Sequence, residues 1–307
     1  MRRGDYNAAV PLTPDAADHL TWDNPVLLDL IARYDKVDSP LNSHSQWKDD
    51  YRSDLHLPYF RGDNCYVRQV TNFAGRLASS LSRYAGYLHG IDDRRLLGRL
   101  VEDGAFGCWA FDHGNGMKIS RDLLDSVNEL SFLARAWDLF DRSDVTVIDI
   151  GAGYGRLAHR MVEAFDGIDR YYCVDAVPES TFVCSYYLDH RGVSDRAVTI
   201  PLDRLDEIDG TRIDLAVNIH SFSEMPYSAI EAWLNWLAVR RVENLFIVSN
   251  TQDRMFSREP DGGTRDVAPL LRAHGYHRVR SELIIDDAPT CAGLGVDDHF
   301  MLYQLRK

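Results

Sequence analysis

Between Val145 and Gly155 the chain reads Val-Thr-Val-Ile-Asp-Ile-Gly-Ala-Gly-Tyr-Gly. A run rich in β-branched residues carries an acid, Asp149, and then enters three glycines at alternate positions. β-Branched residues favour a buried strand, while glycine permits a turn tight enough for a ligand to approach bare backbone at the start of a helix. A dinucleotide fingerprint, Gly-x-Gly-x-x-Gly, would place its third glycine at position 156, and that position is Arg156. The turn therefore belongs to an α/β sheet that holds some other ligand.

The rest of the chain supports such a sheet. From residue 144 onward short apolar runs alternate with amphipathic stretches. Strands are expected at 145–150, 170–175, 197–201, 213–219, 244–250, 279–285 and 298–305, and helices at 155–165, 178–190, 227–240 and 264–274. That order predicts an α/β, Rossmann-like, doubly wound sheet of seven mostly parallel strands. The last two runs have no helical pattern between them, so a closing hairpin with one antiparallel strand is expected.

A helical N-terminal region, 1–143, precedes the sheet domain, 144–307. The first residues, rich in Asp, Ala and Pro, suggest a loosely held arm. Helices are expected over Asn24–Tyr34, Val67–Leu88 (through Val70, Phe73, Leu77, Leu81 and Tyr84) and Asp92–Glu102. Gly104–Gly116 mixes four glycines with aromatics and a histidine, which predicts a structured loop rather than a regular element. Ser120 then caps a helix striped by Leu123, Val127, Leu130, Ala134, Trp137 and Phe140.

A net charge of −13 and the absence of any long Lys/Arg run argue against nucleic acid as partner, because backbone binding needs clustered cations. Five scattered cysteines without a Cys-x-x-Cys form neither a disulfide framework nor a zinc ribbon. No apolar signal core and no membrane-length run is present, so a soluble, cytoplasmic protein with no membrane contact is expected; homo-oligomerisation stays open.

The glycine turn with its preceding acid resembles the first motif of class I S-adenosylmethionine-dependent methyltransferases. In that setting Asp149, Gly151, Ala152, Gly153, Tyr154 and Gly155 would cradle the amino-acid part of the donor S-adenosylmethionine and of its product S-adenosylhomocysteine. Asp175, ending the second strand beside Ala176, could accept both ribose hydroxyls, and Asp203 could reach the adenine amino group. The fourth strand ends in Asn218-Ile-His-Ser-Phe-Ser-Glu-Met225. Methyl transfer to an alcohol requires in-line positioning and removal of a proton. His220 is the candidate general base, with Glu224 or Asn218 orienting its ring or the acceptor. Asn218 also counts among the donor contacts. His44, His56 and His113 could supply acceptor contacts, and Trp47, Trp109 and Phe111 could stack on an acceptor ring. Asn250 and Asp253, with Glu224 or Asp203, could hold Mg²⁺, although no spacing calls for it and no metal is expected.

A wider set of segments is similar to the bacterial sugar O-methyltransferases. These are Ser45-Gln-Trp-Lys48, Phe60-Arg-Gly-Asp-Asn64 with Tyr66 and Gln69, and Phe106-Gly107 leading to Ile119-Ser120. In the sheet domain they are Asp149–Gly155, Asp175-Ala-Val-Pro-Glu179 followed by Tyr186-Tyr-Leu188, and Asn218–Met225. The resemblance implies donor binding by Gly151, Gly153 and Asp175. It also implies a sugar or glycoside hydroxyl as acceptor, a mannoside among the candidates, approaching beneath the N-terminal helices, as in polysaccharide biosynthesis. Two other readings stand beside it. One is an O-methyltransferase for a non-sugar natural product, and the other is a methyltransferase-like binding partner without catalysis.

Overall fold

A computed structural model of the chain describes residues 6–48, 52, 54–67 and 76–306. Two compact units result, and neither is a single stretch of sequence. One comprises Met1–Pro25, Asp49–Arg135 and Ile285–Val296; the other comprises Val26–Lys48, Ala136–Ile284 and Asp297–Lys307. The division is not one cut after residue 143, because residues 26–48 group with the sheet.

The sheet unit carries seven strands: β1 (Val145–Ile150), β2 (Ile168–Val174), β3 (Ala197–Thr199), β4 (Leu215–Ile219), β5 (Asn244–Val248), β6 (Tyr276–Leu283) and β7 (His299–Leu305). Their spatial order is 3-2-1-4-5-7-6, with β1 to β5 parallel and β7 antiparallel to both neighbours. This is the expected Rossmann-like sheet of seven mostly parallel strands. All six residues of β1 are buried, as a central parallel strand covered on both faces requires. The strand order reverses between β1 and β4, and ligands of open α/β sheets bind beyond the carboxyl ends of strands at such a reversal.

Helices Arg156–Ala164, Pro178–His190 and Tyr227–Val239 lie where the periodicity placed them, and Ala268–Ala273 is a shortened version of the fourth. The last two strands pair antiparallel, His277 opposite Gln304, but their connection holds a helix, Ala288–Leu294. Its sequence, Ala-Pro-Thr-Cys-Ala-Gly-Leu, mixes weak helix formers with proline and glycine, and the helix starts because Asp287 accepts the N–H of Thr290.

In the other unit, helix Leu77–His89 buries Leu77, Leu81, Tyr84 and Leu88. Its expected first half, with Gln69, Val70 and Phe73, lies outside the described residues. Asp92–Glu102 is not a helix beyond one 3₁₀ turn, Leu96–Gly98, because the Asp92 carboxylate takes the N–H groups of Leu96 and Leu97. The Gly104–Gly116 segment contributes one strand of a two-residue ribbon, Phe111–Asp112 against Lys118–Ile119. Ser120 does cap its helix, Arg121–Trp137, through the N–H of Leu123. The N-terminal arm is anchored rather than loose from Tyr6 onward: the Tyr6 ring stacks on Tyr59 at 3.8 Å, and Asn7 bonds Gly107 and Cys108.

A buried ionic cluster organises this unit. The Arg61 guanidinium donates to Glu102 at 2.8 Å and to Asp122 at 2.9 Å, all three being essentially shielded from solvent. Ser120 donates to the same Glu102. Replacing Arg61 by Ala leaves two buried carboxylates without their cation and should cost about 3–5 kcal/mol of stability, read by chemical or thermal unfolding. A loss below about 1 kcal/mol, the range of an exposed ion pair, would contradict this role.

Candidate functional site

The glycine turn follows β1 directly, and the three glycines serve three different neighbours. Gly151 has φ +78°, and a Cβ there would lie 2.0 Å from Ser221 Oγ and 2.3 Å from Ser221 Cβ. Gly155 has φ +82°, and its Cβ would meet Cys184 Sγ at 2.8 Å and Leu188. The first glycine therefore admits the segment after β4, and the third admits the helix after β2. Gly153, φ +57°, donates its N–H to Asp175 Oδ2 at 2.9 Å. Ala152 and Gly151 donate theirs to Val174 O, and buried Tyr154 packs edge-on against Tyr187.

Asp149 is not in the turn itself. It is buried on β1 and accepts the Tyr171 hydroxyl at 2.9 Å, a bond within the sheet. Asp175 stands at the opening beside buried Ala176, its Oδ1 accepting the N–H of Val177 at 2.8 Å while Oδ2 holds Gly153. Burial pushes its pKa up to about 7, against the lowering effect of the N–H groups of Val177, Gly153 and Ala176.

Asn218 is fully buried, and its side chain makes three hydrogen bonds to protein groups. Its Nδ2 donates to Ile150 O at 2.8 Å and to Ser221 Oγ at 3.1 Å, while its Oδ1 accepts the N–H of Phe222 at 2.9 Å. Ser221 Oγ also donates to Ile150 O. The expected catalytic or donor-contact role of Asn218 is thus replaced by a clasp between the ends of β1 and β4. His220 follows β4 in the left-handed region, φ 62° and ψ −27°, with its N–H on Val248 O. That region is uncommon for a residue with a Cβ and is held here by the surrounding bonds. From this corner the 3₁₀ turn Ser221–Glu224 runs over the glycines.

Glu224 is held from the Ser45-Gln-Trp-Lys48 segment. Trp47 Nε1 donates to its Oε2 at 2.8 Å, Gln46 Nε2 donates to its Oε1 at 3.2 Å, and the Ser45 N–H bonds its backbone carbonyl. Arg258 in turn donates to Gln46 Oε1 at 2.6 Å. Burial raises the Glu224 pKa to about 7; the Trp47 bond lowers it, the Asp175 charge raises it and the Arg258 charge lowers it. The Asp175 charge thus reaches Glu224. Trp47 is buried with its indole N–H occupied, so it secures an acid rather than offering a face to an acceptor ring.

Tyr34, read from sequence only as part of a helix stripe, joins three parts of the opening. Its hydroxyl bonds Thr181 Oγ1 at 2.9 Å, accepts the N–H of Leu202 and reaches Asp175 O at 3.3 Å. Asp203, just after β3, pairs with Arg33 of the same helix at 3.2 Å. His56 packs with Tyr6 and Tyr59, and His113 stacks near His89, both within the other unit, as are half-buried Trp109 and Phe111. His44 lies next to Ser45 in the strap that meets Glu224. Asp253 faces Arg278 at 3.5 Å, and Asn250 is exposed. Among the described residues no group of three or more His, Cys, Asp or Glu could hold a metal ion.

These residues fit a nucleoside donor carrying an amino-acid tail. The glycines leave the turn without side chains at three positions, Asp175 is tied to it through Gly153, and Tyr34 fixes the segment beside Asp175.

No family model matches the chain, and no curated protein matches it in sequence. Among solved structures it is similar to the mitomycin 7-O-methyltransferase MmcR, with 20% identity and a TM-score of 0.42, over 61% of this chain and 57% of that one. It is also similar to the magnesium protoporphyrin IX methyltransferase ChlM from Synechocystis PCC 6803 with bound SAM, with 13% identity and a TM-score of 0.42, over 63% and 88%. The CcbJ methyltransferase from Streptomyces caelestis gives 11% identity and a TM-score of 0.43, over 60% and 90%. The chain thus spans little more than half the length of MmcR. At these values the likeness is partial, and the strand order and side chains of this chain define the site.

Substitution of Gly151 by Ala combines the positive φ with the Ser221 clash, whereas Gly192, φ +66°, has nothing within 4 Å of a Cβ. Gly192→Ala should cost about 1 kcal/mol and Gly151→Ala at least about twice that, compared by urea unfolding. Equal losses would show that Ser221 does not rest on Gly151 in solution.

Proposed function

We propose that the chain is an S-adenosylmethionine-dependent O-methyltransferase acting on a hydroxyl of a small polyhydroxylated acceptor, a sugar or glycoside. The observation that carries the donor assignment is the Gly151–Gly155 turn locked to Asp175 at the strand-order reversal. When bound, the sulfonium donor supplies the methyl group as an electrophile and leaves as a neutral thioether. The turn backbone would hold its amino-acid tail, and Asp175 its ribose hydroxyls. Asp203 is available to the adenine end, steadied by Arg33. The acceptor oxygen needs a proton acceptor beside it, and His220 and Glu224, both on the segment after β4, are the candidates.

The sugar assignment rests on the resemblance of Ser45–Lys48, Phe60–Asn64 and Asn218–Met225 to sugar O-methyltransferases. It agrees with the acidic surface, which disfavours a polyanionic nucleic-acid acceptor. A methyltransferase for a non-sugar natural product would share the donor site and differ on the acceptor side.

Isothermal titration with S-adenosylhomocysteine should show one site per chain, and Asp175→Ala should weaken it at least ~10-fold by removing the diol contact and the anchor of Gly153. A methyl-transfer screen over glycosides, with and without EDTA, should then return a product whose formation the chelator leaves unchanged. Absence of any binding by the wild type would remove the enzymatic reading altogether.

A further inference from the structure

The contacts of Glu224 have one polarity. Trp47 Nε1 can only donate, and it donates to Oε2 at 2.8 Å. Gln46 could in principle turn its amide over. Its Oε1, however, is held at 2.6 Å by Arg258, which has no acceptor to offer, so its Nε2 faces Glu224 Oε1 at 3.2 Å. Two donors of fixed direction thus meet the two carboxylate oxygens. The group therefore presents only acceptor lone pairs, two of which these bonds leave over. An acceptor hydroxyl at this carboxylate has one way to bind, by donating its hydrogen.

The placement favours chemistry there. Asn218 and Ser221 bind the segment leading to Glu224 onto the end of β1, above Gly151. The Asp175 charge reaches Glu224 and disfavours its ionised form. Its cation, Arg258, bonds Gln46, and the Arg258 charge offsets only part of the effect of burial on Glu224. A carboxylate in that state is more basic than one in water, which suits proton removal near neutral pH.

We propose that Glu224 is the proton acceptor for the methylated hydroxyl, and that Trp47 and Gln46 are positioning residues that hold it in the accepting orientation. This rests on the methyltransferase reading above and specifies its acceptor side. The hydroxyl oxygen forms its bond to the methyl carbon as the carbon–sulfur bond breaks. The hydroxyl proton passes to the Glu224 carboxylate, and the sulfur keeps the bonding pair as a thioether. His220, whose strained backbone aims the Ser221–Glu224 turn, then sets geometry rather than taking the proton.

Three variants separate the roles: Glu224→Gln, Trp47→Phe and His220→Gln. Binding of S-adenosylhomocysteine, followed by calorimetry, should stay within about 3-fold of wild type in all three, since none contributes its side chain to the donor cradle. The Glu224 carboxyl, followed by ¹³C NMR in side-chain-labelled protein and assigned by its absence in Glu224→Gln, should titrate near pH 7. In Trp47→Phe it should titrate at higher pH, because the bond that favours the charged form is gone. With the acceptor found in the glycoside screen, kcat should fall at least ~100-fold in Glu224→Gln, and the acidic limb of its pH profile should vanish. That limb should move upward in Trp47→Phe and remain in His220→Gln. A Glu224 titration in the ordinary range near pH 4–5 would overturn the proposal without any turnover measurement. So would a limb that persists in Glu224→Gln and disappears in His220→Gln. Failure of the wild type to bind S-adenosylhomocysteine would instead sink the underlying reading, which keeps the two failures distinct.

Discussion

The side chain of Asn218 is the constraint on which the rest of the site depends. A parallel sheet leaves the ends of neighbouring strands free to diverge, and each strand end carries backbone groups that need partners. Asn218 satisfies three of its four hydrogen-bonding possibilities at once, through Ile150 O, Ser221 Oγ and the N–H of Phe222. Burial in a low-dielectric interior makes each of those bonds expensive to lose. The result is that Ser221 rests directly on Gly151, and the glycine turn and the Ser221–Glu224 turn become one rigid corner.

Around that corner stand two acids with different tasks set by their partners. Asp175 faces backbone N–H groups of its own turn and of the glycine turn, which fixes the donor side. Glu224 faces side-chain donors from Gln46 and Trp47, which fixes the acceptor side. Both are pushed up to about pKa 7 by burial. For such groups the folded state favours the protonated form, so stability drawn from them is fullest at acidic pH and declines as pH rises through 7. Ionising two carboxyls whose pKa burial has raised costs stability, a cost common where a site is arranged for chemistry.

Much of the sheet could be read from the chain because β-branched runs and amphipathic spacing are local signals. Val145–Ile150 and Pro178–His190 lie where they were expected, to the residue. Elements made by weak or mixed signals were misread, as with the helix Ala288–Leu294 and the Asp92-capped turn at Leu96. The site followed the same rule. The glycine spacing was legible as a turn, but the reason for each glycine lies in Ser221 and Cys184, far along the chain. The partners of Tyr34 and Trp47 are not legible in the sequence, because they are 141 and 177 residues away and only the fold brings them together. The protein partners of Asn218 are not legible in the sequence, since a strand-end amide reads the same whether it faces a ligand or a neighbouring strand.

The most direct test of this account is the affinity of Asn218→Ala for S-adenosylhomocysteine, measured at a temperature where the variant still unfolds cooperatively on further heating. The Asn218 side chain bonds Ile150, Ser221 and Phe222, so its loss acts through the corner it holds together. A fall of at least ~10-fold is expected, since the turn loses the neighbour that fixes it. Wild-type affinity in a folded Asn218→Ala protein would contradict it.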